Sequence, residues 1–182
     1  MSFNELITSW SGTTKSLYQM NGNSTDTSGN GWNGTDTNMT YGRGVGWSGG
    51  ASFNGTSSRI TATAYDWNNT ANITIAFWMN PSSVSGFRMI TIQRISAATK
   101  YHYIALNGAT IDFLMFNTSG SNAQISSATT LSTSTWYRVV CTYDATTMRM
   151  YINGKQSNSW TWVSGNMGMD AGATLRIGMN DG

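Results

Sequence analysis

The sequence predicts an all-β protein, with short antiparallel strands folded into a sandwich, a barrel or a jelly roll and a short helix at the N-terminus. Three observations carry this expectation. Ser, Thr, Asn and Gly supply nearly half of the 182 residues, while charged residues amount to 10%, against roughly 25% in an ordinary soluble protein. Glu occurs once, at Glu5, and Leu is scarce, so strong helix formers are few. Apolar residues still reach 39% and aromatic residues 12%, enough to build a core. They come in short alternating runs broken by Gly, Asn, Asp and Pro, the period of a half-buried strand. The length suits one domain, taken as residues 15–182, with residues 1–14 as an N-terminal helical or anchoring segment.

Residues 2–10 depart from the strand pattern. Phe3, Leu6, Ile7 and Trp10 fall at i, i+3, i+4 and i+7, and Ser2 with Glu5 matches a capping box, in which the two side chains satisfy amides at the helix start. Two turns are not stable alone, so this stripe must dock, either on its own sandwich or on a partner subunit. These four are the candidate interface residues. Residues 21–50, rich in Gly, Asn, Ser and Thr, read as a long loop region. Ile73, Ile75, Phe77 and Met79 alternate until Asn80-Pro81 stops the strand. Residues 87–95, 101–106 and 110–117 alternate likewise, with Asn107-Gly108 suited to a tight hairpin. Trp136–Tyr143 and Met148–Ile152 are joined through Asp144-Ala-Thr-Thr147, and Asn153-Gly154 turns the chain again. Trp78 and Trp136 belong to strands and are expected in the core.

Charge and cysteine content narrow the function classes. A net charge of +2 with scattered basic residues gives no electrostatic footprint for nucleic acid or an anionic membrane. No apolar run approaches the ~20 residues that span a bilayer. Cys141 is the single cysteine, so no disulfide forms within the chain, and its place in Val139–Tyr143 suits a small buried hydrophobe better than a reactive thiol. The first ten residues lack a basic n-region and an apolar h-region. With Met1 as the native start, the usual secretory route is excluded, and a phage structural protein assembled in the cytoplasm fits. A fragment of a secreted, extracellular protein would look the same.

Several local patterns, in order, resemble the concanavalin A-like lectin/glucanase superfamily in its laminin G-like branch. They are Asp26-Thr-Ser28-Gly29-Asn30-Gly31 with Gly34, Ala51-Ser-Phe53-Asn-Gly55 leading to Ile60, and Ile73-Thr-Ile75-Ala-Phe77-Trp78 closing at Pro81. Trp136 and Val139 then run through Tyr143-Asp144 to Tyr151-Ile152-Asn153-Gly154, and Leu175-Arg-Ile177-Gly178 comes last. The resemblance implies an antiparallel two-sheet β-sandwich, the concanavalin A-like jelly roll, and a role in binding glycans or other surface ligands. It also implies a rim calcium site in some members. Family members usually continue into a further strand after Leu-x-Ile-Gly, which leaves a sheet edge here for a neighbouring subunit or another virion protein to cover. A chain that ends early is the alternative.

Bond cleavage on this fold needs two carboxylates flanking the scissile bond, usually spaced by two along one strand. The sequence has no such pair: Asp26 and Asp36 lie in loops, Asp144 in a hairpin, Asp170 and Asp181 near the end, and Asp112 alone in a strand. The expectation is no enzyme. One structural calcium ion is the only cofactor considered, with Asp26, Asn30, Asn180 and Asp181 as candidate ligands, since carboxylates, Asn side chains and loop carbonyls are the oxygen donors it takes. Ordinary turn residues are the competing reading of the same positions. For sugar, indoles on loops stack on a pyranose while amides and acids bond its hydroxyls. Trp160 and Trp162, two apart, would share a face of an extended segment. With Asn158, Asn166 and Asp170 they form the preferred patch, and Trp32 and Trp47 are further candidates. The competing reading has them packed under loops. The expected function is a non-catalytic carbohydrate-binding or adhesion module on a phage virion surface, against a purely structural capsid or filament subunit that binds only its neighbours.

Overall fold

The computed structural model describes residues 14–43, 49–63, 67–95, 97–162 and 165–178. The expected helix with Phe3, Leu6, Ile7 and Trp10 lies outside the described residues, as do Trp47, Asn180 and Asp181. Within them the regular structure is all strand. In chain order the strands are β1 (Gly34–Thr37), β2 (Thr40–Arg43), β3 (Gly49–Ser52), β4 (Arg59–Thr63), β5 (Ile73–Met79), β6 (Phe87–Arg94) and β7 (His102–Asn107). They continue as β8 (Thr110–Asn117), β9 (Asn122–Ser126), β10 (Tyr137–Tyr143), β11 (Thr147–Ile152), β12 (Lys155–Thr161), β13 (Met167–Gly168) and β14 (Thr174–Gly178).

Two sheets carry the architecture. The larger runs β1-β4-β14-β6-β7-β8-β13, with β9 also on β8; the smaller runs β12-β11-β10-β5, and β2 pairs β3. All named pairings are antiparallel. Side chains alternate between faces of a strand, so every second residue of each sheet meets the other sheet. On the larger sheet Ile104, Phe113 and Ile125 stand in one cross-strand row. On the smaller, Val139, Cys141 and Tyr143 of β10 alternate with Met148, Met150 and Ile152 of β11, and all join one buried cluster with Ile104 and Phe113. Burying each such side chain stabilises the fold by roughly 1.5–3 kcal/mol relative to exposure. Cys141 is an inert part of this core, its thiol pKa pushed up by burial.

The turns follow their residues. Gly108 takes φ 57°, opening the two-residue hairpin between Asn107 and Thr110. At Asn153-Gly154 both residues have positive φ, 51° and 81°, as a type I′ turn requires. Asp144 shapes the β10–β11 turn by accepting from the amides of Thr146 and Thr147 and pairing with Arg149.

Two expectations need correction. Residues 21–50 hold three short strands rather than loop alone: β1, β2 and β3 are built from Gly, Thr, Ser and single larger residues, which leave no alternating apolar signal. Trp78 and Trp136 are not in the core; they are 37% and 38% exposed. Ile73, Ile75 and Phe77 point inward with the core, so Trp78 points to the opposite face of β5.

Two stability predictions follow from the packing. A Cβ at Gly168 would lie 2.1 Å from the Asn117 carbonyl oxygen, where backbone meets backbone and cannot yield. Gly168→Ala is expected to destabilise by about 1–3 kcal/mol, as overpacking does, whereas Gly42→Ala, with nothing within 4 Å, shifts the melting temperature little. His102, the lone histidine, is fully buried beside Trp67, and burial lowers its pKa from 6.5 to about 4. The unfolded chain therefore binds a proton that the folded chain refuses. Stability is intact above pH 6.5 and falls as pH drops toward 4, by about 3 kcal/mol at the lower end. Denaturant melts from pH 7 to 4.5 read this slope, and His102→Leu is expected to flatten it.

Candidate functional site

The outward stripe of the smaller sheet builds an open cleft of about 430 Å³ lined by Trp78, Trp136, Arg138, Asn153 and Gly154. Arg138 sits directly across from Trp78 in the β10–β5 register. Trp136, just before β10 and two residues before Arg138, lines the same cleft as Trp78 and Arg138. The type I′ turn closes the third side. There the Asn153 amide donates to the Arg138 carbonyl at 2.8 Å, and the Arg138 amide donates to Asn153 Oδ1 at 2.9 Å. That reciprocal pair fixes the turn against β10 and sets the width of the cleft.

The polar groups of this cleft are uncommitted. Among the described residues, neither indole N–H nor the Arg138 guanidinium has a hydrogen-bond partner, and neither indole touches another ring. Three such groups elsewhere are engaged: Tyr18 donates to the Trp32 carbonyl at 2.6 Å, Tyr143 to the Gly165 carbonyl at 2.6 Å, and Arg149 pairs with Asp144. Exposed aromatic faces flanking a free donor are what a sugar ring uses, C–H face on indole and oxygens on the cation.

Several of the residues expected from sequence to bind sugar make contacts within the chain. Asn158 donates to the Ser126 carbonyl at 2.7 Å, tying β12 to β9 of the opposite sheet. Asn166 donates to Asn69 Oδ1 at 2.7 Å. Asp170 accepts the amides of Thr99 and Lys100 and the Thr99 hydroxyl. Trp162 packs on the core and lies 5.9 Å from the Tyr143 ring. Trp160 is 49% exposed on the edge strand, and no ring contact joins it to Trp162 among the described residues. Trp32 is half-buried, its amide given to Asp26.

Asp26 meets the calcium expectation poorly. Asp26 Oδ1 accepts the amides of Leu17 and Ser28, and Oδ2 accepts the Trp32 amide and the Ser28 hydroxyl, all at 2.9–3.0 Å. Burial alone would raise the Asp26 pKa, but these donors outweigh it and hold the carboxyl below its ordinary range. All four lone-pair positions serve the chain itself. Asn30 donates from Nδ2 to the carbonyls of Thr14 and Lys15, which fixes its side chain and says nothing of its Oδ1, the atom a cation would take. A cation at Asp26 would have to displace these donors, so Asp26 itself does not fit it; Asn180 and Asp181 lie outside the described residues. Melting curves in millimolar calcium and in chelator are expected to coincide, whereas Asp26→Ala, which orphans three amides, lowers stability by about 1–3 kcal/mol.

The fold has relatives among solved structures. Residue pairs superpose on the binding domain of Paraclostridial Mosquitocidal Protein 1 with a TM-score of 0.68 and 17% identity, covering 86% of this chain and 42% of that one. The botulinum neurotoxin serotype D binding domain gives 0.69 and 16%, covering 92% and 43%. Domains LG4-5 of the mouse laminin α1 chain give 0.55 and 17%, covering 65% and 31%. The chain thus spans less than half the length of these structures, and identities this low establish the fold alone. A search of curated proteins matches no relative. The sequence profile of the laminin G-like type matches residues 54–182, most of the chain. Two stacked antiparallel sheets in this order, together with that match, make the chain a member of the concanavalin A-like lectin/glucanases superfamily.

Proposed function

We propose that the chain is a non-catalytic carbohydrate-binding or adhesion module, and that the Trp78–Trp136 cleft is where it holds sugar. The observation that carries this reading is the pair of indoles, each more than a third exposed, flanking an uncommitted guanidinium in an open cleft. Two indoles lining one cleft, with N–H groups that no described residue accepts, offer a ligand apolar faces and donors together. The described carboxylates support the same reading, since each is engaged by its own local donors. Asp36 takes Ser24 and Tyr41, and Asp112 takes Asn107 and Ser126. Asp26, Asp144 and Asp170 are likewise bound into turns.

Recognition in so shallow a cleft is weak per site and gains strength from repetition. A particle that displays many copies fits this, and a phage virion surface is the setting we favour, from the polar, charge-poor composition.

The test is a glycan array probed with a multivalent preparation of the full chain, followed by titration of hits against variants. Trp78→Ala and Trp136→Ala, both outward-facing, are each expected to weaken binding on the order of tenfold with the fold intact. Trp160→Ala on the edge strand is expected to leave it unchanged. An array without hits, or hits indifferent to both cleft tryptophans, overturns the reading.

A further inference from the structure

Resting on that reading, we infer that the cleft selects sugars carrying an oxyanion, and that Arg138 is the residue that reads the charge. The cleft holds one cation, and none of its lining residues is acidic. Arg138 is half-buried between Trp78 and the Asn153-Gly154 turn, with no counter-ion among the described residues. A paired cation of the smaller sheet shows what satisfaction looks like: Arg149 holds Asp144. The next residue after Gly154 is Lys155, exposed and also without a partner among the described residues, so the positive character continues along the turn.

The chemistry follows from the shape of the guanidinium. It offers a planar fork of donors that matches a carboxylate or sulfate with two parallel hydrogen bonds, and it accepts nothing. A neutral sugar leaves that fork partly unused. An acidic sugar whose ring lies on one indole brings its oxyanion over the fork, and the indole walls limit the water that would compete. The Arg138 amide is anchored to Asn153 Oδ1, so the base of the side chain is fixed before ligand arrives. Arg138 therefore acts as a specificity-determining residue, while the indoles supply affinity common to acidic and neutral rings.

Matched probes separate the two contributions. Oligogalacturonate is compared with its carboxyl-reduced galactose counterpart, and dextran sulfate with dextran, each titrated against the full chain held at high density on a biosensor surface. The charged member of at least one pair is expected to bind about tenfold or more tightly than its neutral partner at low salt, with the gap narrowing as salt rises. The pair that shows the gap tells carboxylate from sulfate. Arg138→Gln is expected to close the gap by lowering the affinity of the charged member about tenfold while the neutral member loses less, and Arg138→Lys to keep part of the gap. Near-UV circular dichroism confirms that each variant is folded. A gap that persists in folded Arg138→Gln, or neutral and charged members binding alike, overturns the assignment of charge to Arg138 while the sugar-binding reading stands. Absence of binding to all four probes, together with an empty glycan array, overturns both.

Discussion

The contact between the two sheets is the interaction on which the rest of the molecule depends. Neither sheet is stable with one face of Ile, Val, Met and aromatic side chains in water, and stacking them removes both faces at once. The consequence reaches past stability. Because side chains alternate, committing Ile73, Ile75 and Phe77 or Tyr137, Val139 and Cys141 to the interface commits their neighbours to the opposite side. Trp78 and Arg138 are outside because Phe77 and Val139 are inside. The cleft is thus a by-product of core packing in position, and a choice of residue type only in what fills it.

With a single cysteine, this chain fixes its loops by other means. Small polar side chains bond the backbone a few residues away, each an Asx or Ser/Thr device worth about 1 kcal/mol net. Asp26 gathers the segment from Leu17 to Trp32, Asn54 accepts the amides of Thr56, Ser57 and Ser58, and Asn117 accepts that of Ser121. Asp170 ties residues 99–100 to the approach to β14. The abundance of Asn, Ser and Thr, which looks like surface composition in the sequence, is in large part internal scaffolding. Asn158, Asn166 and Asp170, candidates for bonding sugar hydroxyls, take part in this scaffolding too.

What was legible in the sequence follows from which signals are periodic. Strands over 73–79, 87–94, 110–117 and 147–152 announce themselves through alternating large apolar residues, and the turns at Gly108 and Asn153-Gly154 through residues that tolerate positive φ. Strands β1 to β3 carry no such stripe, and β9 carries only Ala123 and Ile125. The Trp78–Trp136 cleft is hidden for a different reason. Placement in or beside a strand does not by itself bury a tryptophan; parity puts Trp78 on the face opposite Phe77 and Trp136 on the face opposite Tyr137. The signal was present in the alternation itself. Arg138 shares that parity and could have been read with them; Asn153 could not, because its role depends on the hairpin folding back to β10.

A binding surface made from a flat strand face has limits that shape how it can work. The proposed site has two indoles and a turn for walls, so a ligand there would keep much of its surface in water and the affinity of one site would stay low. Charge changes this balance more than area does, because a forked donor that lacks a counter-ion gains a full charge-assisted pair from an acidic ligand and little from a neutral one. A half-buried position suits that task. Deeper burial of Arg138 without an acid would destabilise the sheet, and full exposure would leave the pair screened by salt and nearly worthless. Between those limits, flanked by rings that exclude some water without closing the site, a single guanidinium can discriminate by charge while the fold beneath it remains indifferent to whether a ligand is bound.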